Sequence, residues 1–353
     1  MFNKERIGSY AAILLAACCV FTSNAKTDVP VFLLSGQSNM TGYFSSINDL
    51  TADQKKNVDN VMIYMDGDGD AAKKKKWLTL GPGFGATSSN IGPELYFGRT
   101  LSDSMPGKKI AFIKDAVGGT YLGKVEGWLP PSSNNGTGGT LYRDMMAAID
   151  AAMKAIGTAF DTTQYTPRWA GFVWLQGEFD AYDQTLSNAY EKNLTNLISD
   201  IRAKVKVPDL PVIIPLIDVQ GQWTYNSIVR KADVTVKQNG KNIDTLDTKG
   251  FPTDGTHYKA AGYVKIGTIA AQRWLNMHYN YGPIVPIAYQ YTPSSKLLQQ
   301  TRILTPSSML FDLSGRTIRS SNSSFEGCPF GIFIATVKQP GIQLRGKKIA
   351  AGR

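Results

Sequence analysis

The sequence predicts an α/β fold, a three-layer doubly wound parallel sheet with a small all-β module at its C-terminal end. Three observations predict it. Short apolar runs alternate with helix-like stretches across residues 29–280. The runs are continuously apolar, as expected of strands covered on both faces. Near Pro283 the composition turns to proline and serine, and only brief β-like runs follow.

The strands are expected at 31–35, 61–65, 109–114, 170–175 and 212–217, each four to six residues rich in Val, Ile, Leu or Phe. Helices are expected between them at 92–104, 140–156, 185–205, 223–234 and 258–276. Gly118-Gly119 and Gly136 to Gly139 mark loops. Such an alternation places a ligand site at the carboxyl ends of the strands. In the tail, Met309-Leu-Phe311, Thr317-Ile318 and Gly331 to Val337 read as short strands. The expected division is a signal segment 1–25, the α/β domain 26–282, a linker 283–299 and the β module 300–353. About sixty residues is near the lower limit for independent folding.

Lys4 and Arg6 precede a mostly apolar stretch from Ile7 to Phe21, too short to span a bilayer. Ser23-Asn24-Ala25 suits cleavage before Lys26, so the segment reads as a secretory signal. Leu15-Ala-Ala-Cys18 resembles a lipobox and gives a second reading, a lipid anchor at Cys18. Either reading takes the chain out of the cytoplasm, to the medium or the cell surface. No other stretch is long and apolar enough for a membrane span. Of three cysteines, Cys18 and Cys19 lie in the signal, so Cys328 alone would remain and no intrachain disulfide could form.

The formal net charge is +10. Residues 294–353 carry nine Lys or Arg against Asp312 and Glu326, and the stretch 26–293 is left at only +2. The α/β domain therefore has no basic footprint for nucleic acid.

The chemistry begins at Val31-Phe-Leu-Leu-Ser-Gly-Gln-Ser-Asn-Met40, a buried strand running into a small polar turn. Ser38 would stand at the open edge of the sheet. Serine also favours turns and N-caps, so its position alone says no more than that. No Gly-x-Ser-x-Gly surrounds it, which removes support for a nucleophile elbow. A serine nucleophile needs a base, and the chain has only two histidines, His257 and His278. His278 ends the last apolar helix with no acid nearby in sequence. His257 sits three residues after Asp254, close enough for the carboxylate to fold back on the imidazole. Ser38, His257 and Asp254 together suggest an esterase triad. As ordinary residues, Asp254 would be a turn or cap and His257 a surface polar group.

Four blocks occur in a telling order: Ser-Gly-Gln-Ser-Asn-Met (35–40), Asp-Ala-Val-Gly-Gly-Thr (115–120), Trp-Leu-Gln-Gly-Glu-Phe-Asp (174–180) and Asp-Gly-Thr-His (254–257). Over residues 30–278 the chain resembles the SGNH-hydrolase superfamily, which has a flavodoxin-like sheet. It is most similar to the sialate O-acetylesterase-like branch, which includes carbohydrate esterase family six, the acetylxylan esterases. Ile91-Gly-Pro-Glu94 and Phe97-Gly-Arg99 resemble that branch too. The resemblance implies Ser38 as nucleophile, His257 as the base that later protonates the leaving alcohol, and Asp254 as the orienting acid. It implies oxyanion donors in the backbone N–H groups of Ser38 and of Gly118-Gly119. Many superfamily members carry Gly-x-Asn-Asp in the third block, where this chain has Gln176-Gly177-Glu178. Gln176 is then a side-chain oxyanion donor. Glu178 is a second carboxylate that could reach His257, or a structural hydrogen-bonding group at a strand end.

Other candidates are weaker. Asp66-Gly-Asp-Gly-Asp70 has Ala71 and Trp77 where an EF-hand needs Gly and Glu, so it reads as a solvated turn. Lys73 to Lys76 reads as exposed, with an option of touching an acidic polysaccharide. Two histidines leave no His-rich zinc site, and neither a metal nor an organic cofactor is expected. Trp77, Tyr121 and Trp128 lie in long loops expected to edge the pocket, to stack on sugars or simply to pack. Leu310-Phe-Asp-Leu-Ser-Gly-Arg316 and Gly331-Ile-Phe-Ile-Ala335 resemble the sorting domains of type IX secretion, which implies the secretion machinery as a partner. A carbohydrate-binding β-sandwich is the other reading of this tail. The expected activity is a secreted serine esterase, or hydrolase of carboxylic esters, that removes O-acetyl groups from an acetylated polysaccharide or oligosaccharide. Acetylxylan comes first, in polysaccharide degradation, and O-acetyl sialic acid second. A non-catalytic carbohydrate binder on the same fold is the alternative of another class.

Overall fold

The structure is a computed structural model that describes residues 25–218 and 222–279 together with four short strands beyond them. Seven strands form one sheet in the order β3-β2-β4-β1-β5-β6-β7. They are β1 Thr27–Gly36, β2 Val58–Gly67, β3 Trp77–Leu80, β4 Ile110–Ala116, β5 Tyr165–Leu175, β6 Val212–Pro215 and β7 Ile243–Leu246. All neighbours run parallel except β2 and β3. The helices are α1 Ser38–Thr41, α2 Glu94–Ser104, α3 Thr140–Lys154, α4 Gln184–Val205, α5 Asn226–Asn239 and α6 Ala260–Tyr279.

The apolar runs become strands because both of their faces are covered. Val31 and Leu33 of β1 turn toward α3, α4 and α5, packing with Met145, Leu194 and Val229. Phe32 and Leu34 turn the other way, toward α2 and α6, with Leu95, Phe97 and Trp274. Successive side chains on one strand thus feed two cores, which removes any polar-out alternation. Phe32 is the centre of the second core, with edge-to-face contacts to Phe97, Phe112 and Trp274 at 4.9–5.7 Å.

β1 lies between β4 and β5, so chain order reverses at its carboxyl end. That is the topological switch point, where open α/β sheets bind ligands. Gly36 ends the strand with φ +147°, and a Cβ there would lie 2.0 Å from Leu175 O on β5. Only glycine lets the chain leave the sheet this close to its neighbour. Gly42, with φ +97°, closes α1 by donating its N–H to Ser38 O at 2.8 Å.

The five expected strands and five expected helices all form. The structure adds β3 and β7, which the apolar pattern does not reveal. Each has four residues at an edge of the sheet, too short and too mixed in polarity to stand out. Beyond the main sheet, Met309–Phe311, Thr317–Ile318, Ile332–Thr336 and Arg345–Ile349 make a four-stranded antiparallel sheet, β8 to β11 in chain order. Residues 1–24 of the signal segment with Cys18, the linker 283–299 and Cys328 lie outside the described residues.

Candidate active site

Ser38 opens α1 directly after β1, and its backbone N–H has no intrahelical acceptor in that first turn. Ser38, Gly118, Gly119, Glu178 and His257 line one cleft of about 360 Å³. Asp254 and Gln176 are not among its lining residues. A larger groove of about 600 Å³ lies between α4 and α5, where Arg202 already donates to Leu210 O and Lys241 O. Its lining includes Arg202 and Lys206 but no carboxylate, histidine or cysteine among the described residues.

The Ser38 turn is held from two sides. On one side is Glu178, fully buried. Its carboxylate accepts from Asn39 Nδ2 at 2.7 Å and from Gln37 Nε2. Burial pushes this carboxyl up, and the two amides oppose the shift. On the other side, buried Lys114 donates to Thr41 O at 2.9 Å, to Phe84 O at 2.7 Å and to Glu94 Oε2 at 2.7 Å. All three ammonium hydrogens are used, and Gly92 N–H occupies the other Glu94 oxygen at 2.8 Å. Glu94 of the Ile91-Gly-Pro-Glu94 motif is therefore part of the floor beneath the Ser38 turn.

Asn39 joins the two halves of the site. Its Oδ1 accepts from Tyr258 N–H at 3.2 Å and from the Tyr263 hydroxyl at 3.1 Å, and its Nδ2 also donates to Thr256 O at 3.3 Å. The residue after the serine thus grips the chain on both sides of His257. The imidazole packs against Tyr43 and Phe44, with ring centroids at 5.9 and 4.8 Å. Burial lowers the His257 pKa below the ordinary histidine value, opposed by the charge of Asp254. The neutral imidazole that a base must be is therefore favoured near neutral pH. Among the described residues, no hydrogen bond joins Ser38 Oγ to the His257 ring.

Asp254 does fold back, but onto the backbone. Its Oδ1 accepts from Thr256 N–H at 2.9 Å and His257 N–H at 2.8 Å. Burial pushes the carboxyl up, and these N–H groups outweigh it and hold the pKa below the usual range. Asp254 shapes the His257 turn and supplies negative charge beside the ring.

The third block divides its work. Gln176 sits behind the cleft, its amide donating to Thr120 O at 2.9 Å and to Asp180 Oδ2 at 2.7 Å. Both amide hydrogens are committed, so the side chain is not placed to serve an oxyanion. Asp180 also accepts from Leu122 N–H at 2.8 Å and Gly123 N–H at 2.9 Å. Gln176 and Asp180 fix the 118–123 loop. In that loop Gly118 N–H is already donated to Asp68 Oδ2 at 2.7 Å. Gly119, with φ +70°, stays on the cleft wall.

Asp68 is the residue whose setting differs most from expectation. It belongs to the Asp66 to Asp70 turn, expected to be solvated, yet it takes both Gly118 N–H and the Tyr43 hydroxyl, at 2.9 Å. Burial, with Asp68 beside it, pushes the Tyr43 pKa up to about 12. Lys73 likewise folds inward, donating to Gly83 O at 2.7 Å, while Lys75 and Lys76 stay exposed. Trp77 and Trp128 are core residues bonded to Ala152 O and Thr120 Oγ1. Tyr121 packs on Phe179 under Lys124. The aromatics at the cleft are instead Tyr43, Phe44, Phe179, Tyr182 and Trp223. His278 stacks on Trp274 at 4.7 Å, far from this chemistry in the last turn of α6. Among the described residues, no group of three His, Cys, Asp or Glu converges to hold a metal ion.

Comparison with known proteins gives a consistent picture. Residues 28–276 match the family described as carbohydrate esterase, sialic acid-specific acetylesterase. A probable carbohydrate esterase of Arabidopsis thaliana is 24% identical over 261 residues, covering 70% of this chain and 90% of that protein. A solved Arabidopsis thaliana structure superposes with a TM-score of 0.56 at 21% identity, over 71% of this chain and 99% of that one. A carbohydrate acetylesterase from Xanthomonas citri gives 0.52 at 18% identity, over 71% of this chain and 56% of that one. At such identities the structural likeness is one of fold.

Proposed function

Because the chain belongs to the sialic acid-specific acetylesterase family of carbohydrate esterases, we propose that it removes O-acetyl groups from carbohydrate through an acetyl-enzyme on Ser38. The observation that carries this reading is the shared cleft of Ser38 and His257, tied together by Asn39 at the sheet's switch point.

Ser38 Oγ attacks the acetyl carbonyl carbon and gives its proton to His257. The oxyanion is met by the backbone N–H groups of Ser38 and Gly119, since Gly118 N–H is engaged by Asp68. The ester C–O bond breaks, the sugar oxygen takes the proton back from His257, and the acetyl group stays on Ser38. Water then attacks the acetyl carbonyl and gives its proton to His257, the Ser38 Oγ–acyl bond breaks, Ser38 Oγ takes that proton, and acetate leaves. Hydrogen bonds of this kind tighten with substrate in place, so an open Ser38–His257 pair in the free enzyme suits the scheme. Asp254 supplies the charge that stabilises the imidazolium. Glu178 positions the serine turn.

The first substrate is acetylxylan, and export through the signal segment and the sorting-like tail fits work on a polymer outside the cell. The family description supports O-acetyl sialic acid as a second reading. Acetate release from acetylated xylan, O-acetyl sialic acid and simple acetates tests both. A protein that bound acetylated xylan but released no acetate from any of the three would be a carbohydrate binder instead.

A further inference from the structure

We propose that Phe44 and Tyr182 form the aromatic rim of a sugar-ring subsite at the mouth of the Ser38–His257 cleft, and that this subsite takes an uncharged acetylated pyranose. The proposal rests on the esterase reading above and adds the side chains that hold the sugar ring and a physical reason for an uncharged one. Most large aromatic side chains here are buried, but Phe44 is 69% and Tyr182 46% exposed, and both line the cleft. Exposed aromatic surface beside a polar pocket marks a place where a ligand supplies the missing contact.

Phe44 carries a second mark. Its φ is +57°, a left-handed conformation that a bulky residue adopts only when its surroundings impose it. Its neighbours impose it. Tyr43 is fixed through its hydroxyl to Asp68 and through its carbonyl, which accepts from the Tyr263 hydroxyl at 3.1 Å. The Phe44 ring then lies against the His257 imidazole at 4.8 Å. Strain is thus spent on holding a phenyl ring in water beside the base. The C–H face of a pyranose packs on such a ring while its hydroxyl edge stays free. A sugar stacked there would bring an acetylated hydroxyl to the Ser38–His257 pair. Tyr182 comes from the loop after β5 and is braced edge-on by Phe179 at 5.8 Å.

The charge of the cleft decides the class of sugar. Among the described residues, no lysine or arginine lines it, and its carboxylate is Glu178. Residues 219–221, outside the described ones, are Val, Gln and Gly by sequence. A sialic acid carboxylate entering this space would lose water without gaining a cation, an uncompensated cost. A neutral ring meets no such cost.

The test uses the full chain and three substrates: acetylated xylo-oligosaccharide, O-acetylated N-acetylneuraminic acid, and ethyl acetate, which has no ring to stack. In Phe44→Ala, kcat/KM for the xylo-oligosaccharide should fall, mainly through KM, by roughly tenfold more than for ethyl acetate. Phe44→Tyr should restore the parent's ratio. Phe44→Gly should lose the sugar as Phe44→Ala does, yet melt at a higher temperature than Phe44→Ala because glycine accepts the positive φ. Equal losses on both substrates would mean that Phe44 serves only the imidazole, and would overturn the subsite. Higher kcat/KM of the parent for the sialic acid would overturn the uncharged class. If the parent hydrolysed none of the three, the esterase reading would fall. Calorimetric binding of the xylo-oligosaccharide would then test the subsite alone, and equal affinity of parent and Phe44→Ala would overturn it.

Discussion

Asn39 grips the peptide on either side of His257, accepting from Tyr258 N–H at 3.2 Å and donating to Thr256 O at 3.3 Å. Ser38 and His257 are 219 residues apart in sequence. One amide side chain adjacent to the serine sets the spacing of the pair and also ties both to Glu178. Asn39→Ala should therefore act on catalysis more than on binding. It leaves Glu178 Oε1 and the Tyr258 N–H short of a partner, a loss of about 1–3 kcal/mol per orphaned group. The expected outcome is a lower melting temperature and a kcat reduced about a hundredfold, with KM for a small acetate changed much less. A variant with the parent's kcat would remove Asn39 from the account.

The two carboxylates should separate under conservative substitution. Asparagine at position 254 can still accept from the N–H groups of Thr256 and His257, so Asp254→Asn should keep the fold and its melting temperature. It loses the negative charge that raises the His257 pKa against burial. The acid limb of kcat/KM lies below 6.5 in the parent, because burial has lowered that pKa, and it should move lower still in Asp254→Asn, with a smaller plateau. Glu178→Gln is a different change. The carboxylate accepts two amides, and glutamine offers one acceptor while turning its own NH₂ toward the other donor. Melting temperature should fall with activity. A pH–rate profile and a thermal melt of each variant decide the matter. An unshifted limb with parental activity in Asp254→Asn would remove its role.

Much of the fold and part of the site are legible in the sequence. The continuous apolar runs mark the strands because each is packed on both faces. Ser38 and His257 stand out because the chain has so few histidines. The edge strands β3 and β7 stay hidden, since four residues with mixed faces carry no clear period. Asn39 and Gln37 lie inside the Ser35 to Met40 block, yet their role depends on Glu178, far along the chain. Asp68 escapes sequence reasoning for the same reason. An Asp-Gly repeat signals a turn, and nothing local shows that the turn will meet Tyr43 and Gly118. Gln176 has the right chemistry for an oxyanion donor, but Asp180, four residues on, claims the amide. The stretches around Trp77 and Trp128 read as pocket loops in the sequence, yet Trp77 opens β3, and the two indole N–H groups bond to Ala152 O and Thr120 Oγ1 away from the cleft lining.

Lys114 and Glu94 make a fully buried ion pair beneath α1. Removing one member should destabilise the fold by about 3–5 kcal/mol, because the other charge is left buried and alone. Lys114→Met should therefore melt well below the parent. Lys114→Met with Glu94→Gln should recover part of the loss, since no charge is stranded. Both should show reduced kcat when assayed folded, because Thr41 O loses its anchor at the end of the serine helix. A double variant no more stable than Lys114→Met would contradict the ion-pair argument, and a parental kcat would detach the pair from the site.

The central claim is that Ser38 carries the acetyl group, and acetate release by parent and Ser38→Ala measures it most directly. Both proteins should give the same melting temperature and bind acetylated xylo-oligosaccharide. The parent should release acetate, and Ser38→Ala should lose at least roughly a thousandfold in kcat, as loss of a triad nucleophile does. Acetate release by a folded Ser38→Ala at the parent's rate would contradict the account.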